Sequence, residues 1–233
     1  MAALKSWTLR GGVAVVTGAA SGIGAALAGN LARRGMHLAL VDLDPAGLEA
    51  TAAQARAAGV TVSTHVLDVA DHAAVAALPA AVLARESAAQ LVNVSSIFGI
   101  IAPPGQTAYA ASKFAVRGFS ESLRHELATT GSPVGVTLVH PGGVRTAISE
   151  NARLAKGLDA GQVARERANW RSLLALDPAS AAEQIARAIE RRAPRVLVGK
   201  DARAAALVQR LFPVSYWKHV ARDIARRVGH QPT

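Results

Sequence analysis

A doubly wound, parallel α/β sheet of the Rossmann type is the fold class this 233-residue chain predicts. Three observations carry that expectation. Short apolar runs rich in β-branched residues alternate with helical stretches, the pattern of strand–helix–strand units. A glycine-rich turn, Thr17-Gly-Ala-Ala-Ser-Gly-Ile-Gly24, joins the first run to the first helix. An acid, Asp42, ends the second run.

Each element has its own local reason. Residues 12–17 (Gly-Val-Ala-Val-Val-Thr) form a buried strand. Residues 23–34 read as a helix stopped at Gly35, and 37–41 as a second strand. Pro45 opens a second helix in its first turn, where a missing N–H is harmless; that helix ends near Gly59. Residues 60–66 alternate in polarity and give a third strand. Asp71 caps a third helix over 73–85. Residues 90–95 are a strand, 109–129 a long helix, and 134–140 a strand ending at Pro141-Gly142. Residues 143–178 hold no clear strand and read as a mobile loop with helical pieces. Residues 179–191 form a helix and 195–198 a sixth strand. No repeat, low-complexity tract or linker divides the chain, so residues 1–233 read as one domain, with 202–233 a basic helical extension.

Composition excludes several classes of function. Hydrophobic residues make up 51% of the chain, ample for a core, and there is no cysteine. Disulfides, thiolate nucleophiles and cysteine-bound metals are therefore ruled out, and no metal is expected. No apolar run reaches the ~18–20 residues of a membrane span. The apolar stretch from Val13 is broken at Thr17 and Gly18, unlike a signal peptide. A soluble, cytoplasmic protein is the expectation.

The net charge of +10 is uneven: from Arg187 onward eleven Lys or Arg face three acids, Glu190, Asp201 and Asp223. Such a tail could attract nucleic acid or anionic lipid. No zinc finger, RNA-binding aromatic strand or base-reading helix accompanies it, so no nucleic-acid partner is expected. Within 214–228, Trp217, Val220, Ile224 and Val228 recur near helical period, with Lys218, Arg222, Arg226 and Arg227 elsewhere. A basic amphipathic helix is a candidate for peripheral membrane contact. Packing on its own domain or on a partner subunit is the favoured alternative.

Two constellations carry chemistry. Glycines at the first strand–helix turn let the backbone approach a pyrophosphate, and the helix N-terminus adds unpaired N–H groups. Asp42 lies eighteen residues after Gly24, where an acid accepts hydrogen bonds from the adenosine ribose and repels a 2′-phosphate, favouring NAD over NADP. The alternative, a helix-capping Asp, suits Asp44 better. Asp68 with Val69 could touch adenine; equally, Asp68 could be a turn residue. In Tyr109-Ala-Ala-Ser-Lys113, the phenol and ammonium lie one helical turn apart, with Ser96 thirteen positions upstream. A nearby positive charge favours the phenolate. A phenol tuned toward neutral pH can exchange a proton with an alcohol or carbonyl oxygen, which the Ser96 hydroxyl would hold.

Together these pieces resemble the short-chain dehydrogenases/reductases of the classical type. The matching residues are Thr17-Gly18-Ala-Ala-Ser21-Gly22-Ile23-Gly24, Asp68-Val69, Val92-Asn93-Val94-Ser95-Ser96, Tyr109-Ala-Ala-Ser-Lys113 and Pro141-Gly142-Gly-Val144-Arg-Thr146. They cover residues from about 10 to 150 in the family order. The resemblance implies hydride transfer between a nicotinamide and a small alcohol or ketone. It implies that Tyr109 is the acid/base, that Lys113 lowers its pKa and binds the nicotinamide ribose, and that Ser96 holds the substrate oxygen. It further implies that the turn Pro141 to Thr146 belongs to the cofactor site. There Val144 and Thr146 would contact the carboxamide and a neighbouring phosphate. Residues 143–178 would line the substrate, with Ile97, Phe98, Ile100 and Ile101 suggesting an apolar wall, although such residues are core more often than pocket.

One departure stands out. The family carries another strand, ending in an Asn-Asn-Ala-Gly-like motif, and a long helix with a further catalytic Asn; about fifty residues are absent here between the third helix and the strand at 90–95. The sheet is thus expected to have six strands instead of seven. The third helix could cross over and deliver the strand at 90–95 directly beside the first strand, as a right-handed unit. The missing helix also supplies much of the family's subunit interface, which leaves a homo-oligomer without its usual contact. A nucleotide-binding pseudoenzyme with little or no turnover is the alternative function.

Overall fold

The computed structural model describes residues 7–82, 89–147 and 159–228. Its strands are β1 (Val13–Thr17), β2 (His37–Asp42), β3 (Val62–Val66), β4 (Gln90–Val94), β5 (Gly135–Pro141) and β6 (Arg195–Val198). Its helices are α1 (Gly22–Arg33), α2 (Pro45–Arg56), α3 (His72–Val82), α4 (Thr107–Thr129), α5 (Ala160–Leu173), α6 (Pro178–Glu190), α7 (Lys200–Leu211) and α8 (Tyr216–Val228). The expected α/β alternation and the six strands are present. The strands are divided between two three-stranded sheets, ordered β1-β2-β3 and β4-β5-β6. Among the described residues β1 ladders with β2, and β4 neighbours β5. Each half keeps the ladders its own strands specify. The expected tail of α3, through residue 85, lies partly outside the described residues.

The chain forms two compact units. The first comprises Met1–Val92, Arg124–Thr137 and Pro178–Pro194. Its middle strand β2 buries Leu38, Ala39, Leu40 and Val41 in succession, as a parallel strand covered on both faces does. α1 packs on α6, and Ala28, Leu31 and Ala32 of the one and Ala181, Ala182 and Ile185 of the other are buried. As expected, the Asp44 carboxylate caps α2 by accepting from the Ala46 N–H at 3.0 Å, and Asp71 caps α3 through Ala73 and Ala74.

At the rim of the α1–α6 contact, Glu183 accepts from Asn30 at 3.0 Å and pairs with Arg34 and Arg187. The Asn30 hydrogen bond, with Arg187 and Arg34, holds its carboxyl at about 2, down from 4.5. A lowered folded value means stability that is present above pH 4.5 and lost as pH falls toward 2. Glu183→Gln is expected to flatten the decline of the urea midpoint across that window. At neutral pH it should cost no more than about 1 kcal/mol, because water screens a half-exposed pair.

The second unit comprises Asn93–Leu123, Leu138–Asp177 and Arg195–Thr233. β5 is buried along its whole length, and β6 runs parallel to it with Leu138 opposite Arg195. β4 is an end strand: Leu91 is 39% exposed and Val94 40%. Ile97, Ile100, Ile101 and Ala202 form a small core cluster, against which Tyr216 and Val220 of α8 pack. The Tyr216 hydroxyl accepts from the Ala102 N–H at 3.0 Å. The amphipathic helix thus spends these apolar side chains on its own unit. Within 143–178, where a loop with helical pieces was expected, the 14-residue helix α5 forms; residues 148–158 lie outside the described residues. Among the described residues no helix is long and apolar enough to cross a membrane.

Candidate functional site

In the first unit the glycine turn is shaped by backbone conformation. Gly18 and Gly22 have φ of +66° and +58°, where a side chain would be strained. Gly24 lies against the start of the turn, and a Cβ there would sit 2.0 Å from the Gly18 carbonyl oxygen. Ser21 is the N-cap of α1 in an extended conformation, yet its side chain makes no cap hydrogen bond, and no acid occupies the first turn. Ile23 follows on the helix. The helix start therefore presents N–H groups and a partial positive charge to an anion, with glycine on either side of Ile23. These features fit a pyrophosphate.

Asp42 holds this turn in place. Its Oδ2 accepts from the Ala20 N–H at 3.0 Å, and its Oδ1 accepts from Leu43 at 2.7 Å and Asp44 at 3.2 Å. Asp42 and Asp44 thus divide the work, one on the glycine turn and one on the α2 cap. Asp68, at the end of β3, accepts from the Ala70 N–H at 2.9 Å, so it shapes a turn; Val69 beside it is exposed.

In the second unit, Tyr109 and Lys113 share one face of α4, as their spacing requires. The Lys113 ammonium lies 5.5 Å from the Tyr109 ring centroid, and burial pushes it below the ordinary lysine value. Ser96 caps a short 3-10 turn, Ile97–Gly99, its oxygen accepting from the Phe98 N–H at 3.2 Å. That leaves the hydroxyl hydrogen for a second oxygen. The turn is fastened to α4, because Ser95 Oγ donates to the Lys113 carbonyl at 2.9 Å. Gly99 permits this contact: a Cβ there would sit 2.4 Å from Ser95 Oγ and 2.8 Å from the Lys113 oxygen.

The suggested apolar wall splits in two. Ile97, Ile100 and Ile101 are core. Phe98, half-buried against that cluster, also meets Tyr109 edge-to-face, with ring centroids 6.0 Å apart, and meets Trp170 of α5 at 6.0 Å. Behind Ser96, fully buried His140 donates from Nδ1 to the Ser96 carbonyl at 2.7 Å. Burial, with Arg195 and Arg117, pushes this imidazole below its ordinary value.

The turn from Pro141 to Thr146 is laced to the segment after α5: Leu176 N donates to Gly143 O at 2.9 Å, and Arg145 N to Leu176 O at 2.8 Å. Val144 is buried there, bridged to Leu176. Asp201, in the first turn of α7, accepts from the Gly143 N–H at 2.6 Å. The carboxylate fills the space a Cβ of Gly142 or Gly199 would need, 2.2 Å and 2.4 Å away respectively. Sequence reasoning missed Asp201, Gly99, His140 and Trp170, whose contacts join distant parts of the chain. Asp201→Ala is expected to cost about 1–3 kcal/mol in urea unfolding by leaving the Gly143 donor without its charged acceptor. Asp201→Asn, which retains an acceptor oxygen, should cost less.

Comparison with known proteins gives a consistent picture. A family model described as short chain dehydrogenase matches residues 12–87 and 73–157. "Putative oxidoreductase SadH" of Mycobacterium tuberculosis (strain H37Rv) is 37% identical over 270 aligned positions, covering 94% of this chain and 97% of that protein. Since 94% of this chain is only about 219 residues, about fifty of those positions have no counterpart here. The family model likewise matches in two pieces that meet around α3. Among solved structures, a short chain dehydrogenase/reductase from Burkholderia phymatum in complex with NAD superimposes with a TM-score of 0.77 at 24% identity, over 97% of this chain and 98% of that one. A single-substitution variant of actinorhodin polyketide ketoreductase with NADPH gives a TM-score of 0.61 at 24% identity, over 84% of this chain and 94% of that one.

Proposed function

Given that the chain belongs to the short-chain dehydrogenase family of oxidoreductases, we propose that it transfers a hydride between NAD(H) and a secondary alcohol or ketone. The observation that carries this reading is the Lys113 ammonium set over the Tyr109 ring, one turn away on α4. On alcohol oxidation, Tyr109 takes the hydroxyl proton; on ketone reduction, it returns one to the carbonyl oxygen. Ser96 donates to that same oxygen and orients it. Lys113, partly buried, supplies a fixed positive charge beside the phenol and donors for the nicotinamide ribose. The apolar edge made by Phe98 and Trp170 supports a substrate-facing role for α5 and favours a substrate with an apolar flank.

Gly18, Ser21, Gly22, Ile23 and Gly24 would hold the pyrophosphate. Asp42 would accept from the adenosine ribose, and Asp68 and Val69 would border the adenine. Pro141, Gly142, Val144 and Thr146 would hold the carboxamide end. When bound, the nicotinamide supplies the hydride or receives it. The preference for NAD rests on the Asp42 carboxylate at the turn, which repels a 2′-phosphate. The fold neighbours include one structure in complex with NAD and one with NADPH.

Titration of NADH and NADPH by their fluorescence, followed by assay of a panel of ketones, tests the reading. Binding of NADH in preference to NADPH, with turnover of at least one ketone, is expected. Nucleotide binding with no turnover of any carbonyl or alcohol would overturn it in favour of a nucleotide-binding pseudoenzyme.

A further inference from the structure

The elbow between α7 and α8 carries a run of exposed apolar residues that the activity does not use. Leu211 is 62% exposed, Phe212 43% and Val214 93%, and Leu207, one turn back on α7, is 57% exposed. Single exposed apolar residues are ordinary, but a contiguous projecting cluster is a mark of an interaction site. The elbow is also firmly built. Phe212 N donates to Val208 O at 2.9 Å, and Tyr216 N donates to Phe212 O at 2.8 Å. The Phe212 ring stacks at 4.4 Å on His219. The inner side of α8 is already committed through Tyr216 and Val220, and the exposed large apolar residues described on the two helices and the elbow are Leu207, Leu211, Phe212 and Val214.

Charge identifies the occupant. Exposed Arg203, Arg210, Lys218 and Arg222 flank the tip in sequence on both helices. Of the two acids between Lys200 and Ile224, Asp201 is engaged with Gly143, which leaves Asp223 as the other. We propose that the α7–α8 elbow docks on an anionic lipid surface, with Phe212 and Val214 entering the headgroup–acyl boundary and the flanking cations meeting the headgroups. A projecting apolar tip among basic residues suits an interface that is fluid, apolar below and negative above. Each Lys or Arg held near an anionic leaflet strengthens binding about fivefold. A second copy of this chain fits worse, since two such elbows would bring like charges together.

Co-sedimentation of the full chain with phosphatidylcholine vesicles, with and without phosphatidylserine, at low and high salt, tests the proposal independently of turnover. Salt-sensitive binding to the phosphatidylserine vesicles is expected. The double variant Phe212→Ser, Val214→Ser keeps every charge and should bind at least about tenfold more weakly. In a separate variant, Val214→Cys, position 214 becomes the single thiol of a chain without cysteine, and the fluorescence of a bimane label there should be quenched by brominated lipid. Wild-type affinity in the double variant would reduce the effect to adhesion by net charge and overturn the proposal. So would an unquenched label at 214, or a stable dimer that the double variant dissociates.

Discussion

Tyr109→Phe is expected to lower kcat by about 10²–10⁴-fold, the usual worth of a positioned acid/base. The NADH dissociation constant should stay within about twofold of the wild-type value, since the ring itself is untouched. The substitution removes one oxygen. The edge-to-face contact with Phe98 and the Lys113 ammonium above the ring survive it. Steady-state rates paired with nucleotide fluorescence separate the two quantities. Turnover equal to wild type would remove Tyr109 from the chemistry. A parallel loss of binding and rate would instead mark the change as structural.

Gly24→Ala is the second large effect. A methyl group at this position would lie 2.0 Å from the Gly18 oxygen and 2.7 Å from its carbonyl carbon, far inside van der Waals contact. Both are backbone atoms, so no side chain can swing away. Either α1 moves off the turn or the turn opens, and each breaks the arrangement of N–H groups offered to an anion. Overpacking commonly costs about 1–3 kcal/mol, and a backbone collision sits at or above the top of that range. NADH titration is expected to show binding lost or weakened by more than about tenfold, with the urea midpoint also lowered. Gly59→Ala is the control: this glycine also has a positive φ (+78°), but no atom lies within 4 Å of the added Cβ. It should lose a little stability and no nucleotide affinity.

The glycine turn and the Tyr109–Lys113 pair were readable because both depend on near neighbours in the chain. A strand, three glycines and a helix start follow one another within about a dozen residues. An i, i+4 pair meets on any α-helix. Asp44 as the cap of α2 was equally local, since a cap position is defined by the helix it precedes, whereas the hold of Asp42 on Ala20, 22 positions back, was not readable. Asp201 was not readable. It meets Gly143 from 58 positions away, and its role exists only where α7 returns to β5. Trp170 belongs to the same class: nothing in the run around it points to Phe98, and only the placement of α5 joins the two rings. His140 read as a strand residue, and its hold on the Ser96 carbonyl depends on β5 passing behind that turn.

Periodic burial and turn chemistry act over a few residues, so they specify strands, helices, caps and the glycine turn before any long-range contact forms. The missing stretch became visible only through the family resemblance, as motifs in the right order with one absent. Three matters waited for packing. The strand order within each sheet, β1-β2-β3 and β4-β5-β6, is one. α8 turns Tyr216 and Val220 inward against Ile97 and Ile101, leaving the elbow before it exposed. A carboxylate on α7 braces the turn after β5. Each depends on which distant surfaces meet, and that is decided by loop closure and the fit of side chains across elements, quantities that no local pattern encodes.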